Sequence, residues 1–190
     1  MDNRSLEKYR WRLFHRLPLI GGWLQRRAAR ALAADGSPAA LLALAEALVH
    51  TTDARVQTLA RETLARLDSR AAVDAVAFSW AVSRHPDLEA LLLRRALLPA
   101  GPPEVRLLAA LKFGRTELAQ AVGVEAVTAL VQACQDADPD VAARARQAVR
   151  GLTDPAAVHV LCEQWARTRD PLLEQVVVEA PPARDLRGER

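Results

Sequence analysis

Only two cysteines, Cys134 and Cys162, occur in 190 residues, too few for a disulfide scaffold and at no spacing that suggests a metal motif. Aromatic residues make up 4% of the chain, while Ala, Leu and Val dominate its apolar half. That mixture disfavours a β-sandwich and favours helices packed through small and branched side chains. No charge-free run exceeds ten residues, so no segment is expected to span a bilayer. A glycine-rich phosphate loop is also missing: Gly21-Gly22 is too short, and no Lys-Ser/Thr pair follows it. The four histidines, His15, His50, His85 and His159, have no second ligand at helical spacing, so no metal site is expected. Residue order offers no Ser/His/Asp set. Asp136, Asp138 and Asp140 sit at a turn before a helix, where the helix dipole accounts for them. The expectation is a protein that is not an enzyme and needs no cofactor.

Lysine is scarce as well. Only Lys8 and Lys112 accompany 24 arginines, against 23 acidic residues. The basic excess is local: residues 1–30 hold eight Lys/Arg against two Asp/Glu, whereas the remainder holds 18 against 21. The stretch LPLIGGWL after the basic start is broken by Pro18, Gly21 and Gly22. Arg26, Arg27 and Arg30 precede any cleavage position, so a signal peptide is not expected and the cytoplasm is the expected compartment.

What the chain does contain is a duplication. Asp138–Glu174 aligns without a gap on Asp53–Glu89, 85 positions earlier, with fourteen identities in 37 positions. Trp80 and Trp165 form one matched pair, and Arg84 and Arg169 another. Internal repetition on this scale is the signature of a repeat architecture. Cys134 and Cys162 stand where the first copy has Val49 and Ala77, so both are expected in the core as small hydrophobes.

Hydrophobic periodicity predicts helices throughout. The first covers residues 4–17 and ends at Pro18; the second covers 23–34 and ends at Asp35-Gly36. Ser37-Pro38 then reads as an N-cap and first turn of a helix running to His50. Asp53 opens the next, Asp68 or Ser69 caps another that ends near His85-Pro86, and a short one covers 87–98. Pro99, Gly101, Pro102 and Pro103 break the chain. Further helices are expected at 104–113, 124–136, 139–150, 155–168 and 171–179, with a short segment at 116–122. Asp138-Pro139, Asp154-Pro155 and Asp170-Pro171 each place Asp at N-cap and Pro in the first turn. This divides the chain into a basic cap (1–36), a first copy (37–98), a link (99–122), a second copy (123–180) and a flexible tail (181–190).

The residues also resemble a family. Ala126-Val127 with Leu130, then Asp136-Ala137-Asp138-Pro139-Asp140-Val141, then Arg144, Ala145, Ala148 and Leu152, are similar to a HEAT repeat. Leu41, Leu44, Leu48, Thr52, Asp53, Val56, Ala60, Leu64 and Leu67 form a weaker copy without the DPD turn. The segment Cys162–Leu173 also resembles the end of HEAT arrays that stand before β-propellers in long bacterial proteins; no propeller sequence follows in this chain. The resemblance implies an all-α, right-handed α-solenoid of antiparallel helix pairs, with an N-terminal helical cap. It implies a non-catalytic scaffold or adaptor that binds another protein or peptide on a long curved surface.

Arg55, Arg61, Arg66, Arg146 and Arg150 would line the concave side of such an array. They are either a solvated face or a groove for an acidic peptide, with Arg favoured for its planar fork. Trp80, Trp165, Arg84 and Arg169 are assigned structural roles: the tryptophans fill grooves between helix pairs, and the arginines cap helix ends or pair with carboxylates. Residues 4–27, with Arg12, Arg16 and the off-stripe Trp11, either close the end of the array or lie on a partner or an anionic membrane surface. Nucleic acid is disfavoured because the basic residues do not continue into the repeats. HEAT-like folds also include pigment-attaching lyases and alkyl-base DNA glycosylases, but no residue set here can be assigned to either activity.

Overall fold

The computed structural model describes residues 2–15, 20–66, 69–95, 97–169, 171 and 173–175. Arg16, Pro18, Leu67, Asp68, Asp170 and the expected tail 181–190 lie outside the described residues. So does most of the helix expected at 171–179. The described residues are all-helical with no strand: besides a further helical stretch at 171 and 173–175, there are eleven helices. They are α1 (Asn3–Phe14), α2 (Gly21–Asp35), α3 (Pro38–His50), α4 (Ala54–Arg66), α5 (Arg70–Ser83) and α6 (Pro86–Arg95), followed by α7 (Pro103–Lys112), α8 (Thr116–Gln120), α9 (Val124–Ala133), α10 (Pro139–Arg150) and α11 (Pro155–Thr168). None is long and apolar enough to cross a membrane among the described residues.

Helix starts follow side-chain chemistry. Ser37, Ser69, Asp138 and Asp154 each accept a hydrogen bond from a first-turn backbone N–H, and Asp53 does the same for Arg55 and Val56. Such a cap contributes about 1 kcal/mol. Gly36 ends α2 in the left-handed region at φ 62°, where a glycine carries no Cβ penalty. The first helix is shorter than its periodicity suggested: the backbone leaves the helix at His15, and the buried Gln25 side chain donates to the Leu13 carbonyl at 3.1 Å.

The chain divides into two compact units within the proline run, Met1–Gly101 and Pro102–Arg190. In the first, α1 packs on α3 and α3 on α5, while α2 packs on α4 and α4 on α6, giving two layers. α3 touches every other helix of its unit. Accordingly Ala40, Leu41, Ala43, Leu44, Ala45, Ala47 and Leu48 are all buried, over more than half of its circumference, while Glu46, Val49 and His50 lie on its more open side. Its one charged residue, Glu46, receives both of its hydrogen bonds, at 3.0 Å, from Arg10 of α1. In the second unit α9 packs on α7, α10 and α11 around Leu107, Leu111, Val127, Leu130, Val141 and Leu161. Lys112, at the end of α7, reaches the capping Asp138 of α10 at 2.6 Å. Arg144 of α10 in turn donates to the Leu111 and Lys112 carbonyls.

The duplication is visible in backbone detail. α4 and α10, and α5 and α11, begin at matched positions. Both α5 and α11 end on an arginine in the left-handed region, Arg84 at φ 54° and Arg169 at φ 51°. Each cap N–H bonds to the tryptophan carbonyl four residues back, and each guanidinium lies over that tryptophan's ring, 4.7 and 4.8 Å from the centroid. A side chain other than glycine costs about 1 kcal/mol in this conformation, and the cation–π contact returns about the same. The copies differ in cover. Trp80 is fully buried, whereas Trp165 is half-buried.

One sequence expectation is overturned here. Cys134 is buried, but Cys162 is exposed. Its counterpart Ala77 belongs to a helix packed on both α3 and α6 and is fully buried, whereas the matched position on α11, which packs on α9, is open to solvent.

Replacing Trp80 with Ala should cost about 3–5 kcal/mol, and Trp165→Ala clearly less, measured by urea unfolding. Arg84→Ala should destabilise more than Arg84→Gly, because alanine keeps the left-handed cost and loses the stack. Asp138 is held below its ordinary value of 3.8, chiefly by the Lys112 hydrogen bond, which outweighs the upward push of burial, with the Asp140 and Val141 N–H groups adding to the lowering. Its stabilisation is therefore full above 3.8 and is lost as pH falls through the lower folded value. The stability gap between wild type and Asp138→Asn should close over that acid range.

Candidate functional site

The strongest concentration of charge lies between α2 and α4. In α2, Trp23, Arg27 and Arg30 follow one another at helical spacing and are exposed, while Gln25, Ala28, Ala29 and Leu32 are buried on the other side. In α4, Arg55 and Leu59 stand one turn apart, and Val56, Ala60 and Leu64 are buried. Packing α2 on α4 therefore brings two outward faces together. The result is an open cleft of 530 Å³ lined by Trp23, Arg26, Arg27, Arg30, Arg55 and Leu59.

Charge in the cleft is poorly compensated. Arg26 lies 3.9 Å from Asp53, which is already engaged in capping α4. The second copy uses the matched aspartate in the same way, with Lys112 against Asp138. The Arg27 guanidinium sits 5.3 Å from the Trp23 ring centroid. Among the described residues, no carboxylate pairs with Arg27, Arg30 or Arg55. Four guanidinium groups thus face one carboxylate beside an indole that is 54% exposed. The arrangement can hold carboxylates or other oxyanions bidentately and shelter an adjacent apolar group.

The sequence-predicted residues fall into separate places. Arg55 belongs to the cleft. Arg61 pairs with Asp87 of α6 at 2.5 Å, and Arg66 with Glu62 one turn back at 3.2 Å. Arg146 donates to the Cys134 carbonyl at 3.0 Å, satisfying the end of α9, and Arg150 closes α10 on an exposed position. Arg12 is half-buried in the last turn of α1, and Arg16 lies outside the described residues. Trp11 is 48% exposed and stacked on His15, with ring centroids 4.4 Å apart. Trp23, Arg26, Arg27 and Arg30 were visible in sequence only as part of a basic segment. The signal that could have picked them out is the single-face spacing of Trp23, Arg27 and Arg30.

Arg27, Arg30 and Arg55 should each tolerate alanine within about 0.5 kcal/mol in urea unfolding, as surface positions do. Arg146→Ala should cost about 1 kcal/mol or more, since it strips a partner from a helix-end carbonyl. Compared with protein-family models, curated proteins and solved structures, the chain has no match.

Proposed function

We propose that the chain is a non-catalytic protein-interaction module, a scaffold or adaptor that holds an acidic segment of a partner protein in the α2–α4 cleft. In this reading each unit is a stretch of right-handed, HEAT-like α-solenoid, an arrangement favoured by the two-layer packing and the repeated helix starts. One observation carries the functional part: Arg26, Arg27, Arg30 and Arg55 converge on Trp23 with Asp53 as their sole carboxylate neighbour among the described residues. Asp and Glu side chains would take the guanidinium forks, and an apolar residue between them would cover the indole. Residues of this kind, Trp and Arg together, are the ones that dominate interface energetics.

The test is fluorescence anisotropy on the full chain with a labelled twelve-residue Asp/Glu-rich peptide containing one Leu. Affinity should fall about tenfold or more between low and high salt, because each pairing is screened. Arg27→Glu with Arg30→Glu should abolish binding without changing the helical circular dichroism. Equal affinity for a Lys-rich peptide, or indifference to the double variant, would overturn the proposal. Trp11, Ile20 and Trp23 are all about half exposed, which gives a membrane-surface module as the second reading. Co-sedimentation with phosphatidylserine vesicles, in the absence of peptide binding, would favour it.

A further inference from the structure

On the other layer of the first unit, α1, α3 and α5 enclose a groove of 490 Å³. That volume falls within the roughly 300–1,000 Å³ typical of small-molecule sites. Its apolar wall comprises Phe14, Val49, Phe78 and Val82. Phe78 is 42% and Val82 76% exposed, an unusual allocation for residues one turn apart on a helix whose other side is core.

Ser79 also lines the groove. It is only 6% exposed, yet its hydroxyl oxygen has no hydrogen-bond partner. One turn on, Ser83 satisfies its own hydroxyl by donating to the Ser79 carbonyl at 2.7 Å; Ser79 makes no such bond to the turn before it. A buried hydroxyl left unmatched costs about 1–3 kcal/mol, and a polar ligand atom would recover part of that.

The charges at the mouth cancel, since Arg10 gives both its contacts to Glu46. An anion therefore has no free cation to meet, and a cation no free carboxylate. The aromatic neighbours favour a flat guest: Phe14 already meets His50 edge-on, with centroids 6.4 Å apart.

The second copy supplies an internal comparison. The positions of Phe78, Ser79 and Val82 are there Glu163, Gln164 and Arg167, which line a hollow of their own. The Gln164 amide donates to the Thr128 hydroxyl at 2.8 Å, and Glu163 faces His159 at 3.2 Å. One copy is thus polar and satisfied. The other is apolar, with a single unmatched hydroxyl.

We infer that the α1–α3–α5 groove is a binding site for a small, neutral, flat aromatic molecule bearing one hydrogen-bonding group, of the indole or phenol class, whose polar atom bonds to the Ser79 hydroxyl.

Indole and indene, which share a shape but differ in the N–H, are the probes. The full chain is titrated with each, and amide shifts are followed by NMR. Saturable shifts should centre on Val49, Phe78 and Val82, with indole binding about fivefold tighter than indene, the ratio one hydrogen bond supplies. Ser79→Ala should erase that preference. Phe78→Glu with Val82→Arg, the second copy's own residues at exposed positions, should abolish binding of both probes with the unfolding midpoint unchanged. Absent or scattered shifts, a preference that survives Ser79→Ala, or binding that survives the double variant would each refute the inference. The Arg27→Glu/Arg30→Glu variant should bind indole normally, which separates this site from the arginine cleft.

Discussion

The central place of α3, which touches all five other helices of the first unit, is the constraint from which that unit follows. A helix that meets so many neighbours must carry small and branched apolar residues over most of its surface, and PAALLALAEALVH does. Alanines let neighbouring backbones approach closely, while leucines at alternate turns fill the spaces between them. The single charge on this helix, Glu46, lies on its more open side and pairs there with Arg10 of α1, a partly exposed contact of small energy. Both grooves in this unit are by-products of the same packing. Helices that all lean on one central helix leave furrows between their outer faces, and the side chains on those faces decide what each furrow can hold.

The arginines illustrate how one residue type is divided between support and surface. Arg84 and Arg169 terminate helices by stacking on tryptophan. Arg144 and Arg146 satisfy the carbonyls at the ends of α7 and α9, and Arg61 ties α4 to α6. Such work suits a planar donor with several N–H groups better than a lysine ammonium. Arg27, Arg30 and Arg55, which do no such work, are gathered on α2 and the start of α4.

Local features were legible in the sequence because their causes are local. Ser37, Asp138 and Asp154 announce helix starts through hydrogen bonds to residues two or three positions on, and the tryptophan–arginine pairs announced matched helix ends. The cleft was not legible, because Arg30 and Arg55 meet only through the packing of two helices, and spacing along the chain does not say which outer faces adjoin. For the same reason Arg61 and Arg146 read as free surface until Asp87 and the Cys134 carbonyl appeared opposite them. Cys162 misled for a related cause: its residue type matched a core position, but burial depends on what stands across from a side chain.

That last difference makes the two thiols unequal reporters. Cys134 is sealed among Leu130 and its neighbours, its sulfur turned back to a carbonyl of its own helix, while Cys162 faces solvent on α11. A maleimide dye would therefore mark the folded chain at one place only, with no engineered residue. Appearance of a second labelled position would then time the opening of the second unit's interior.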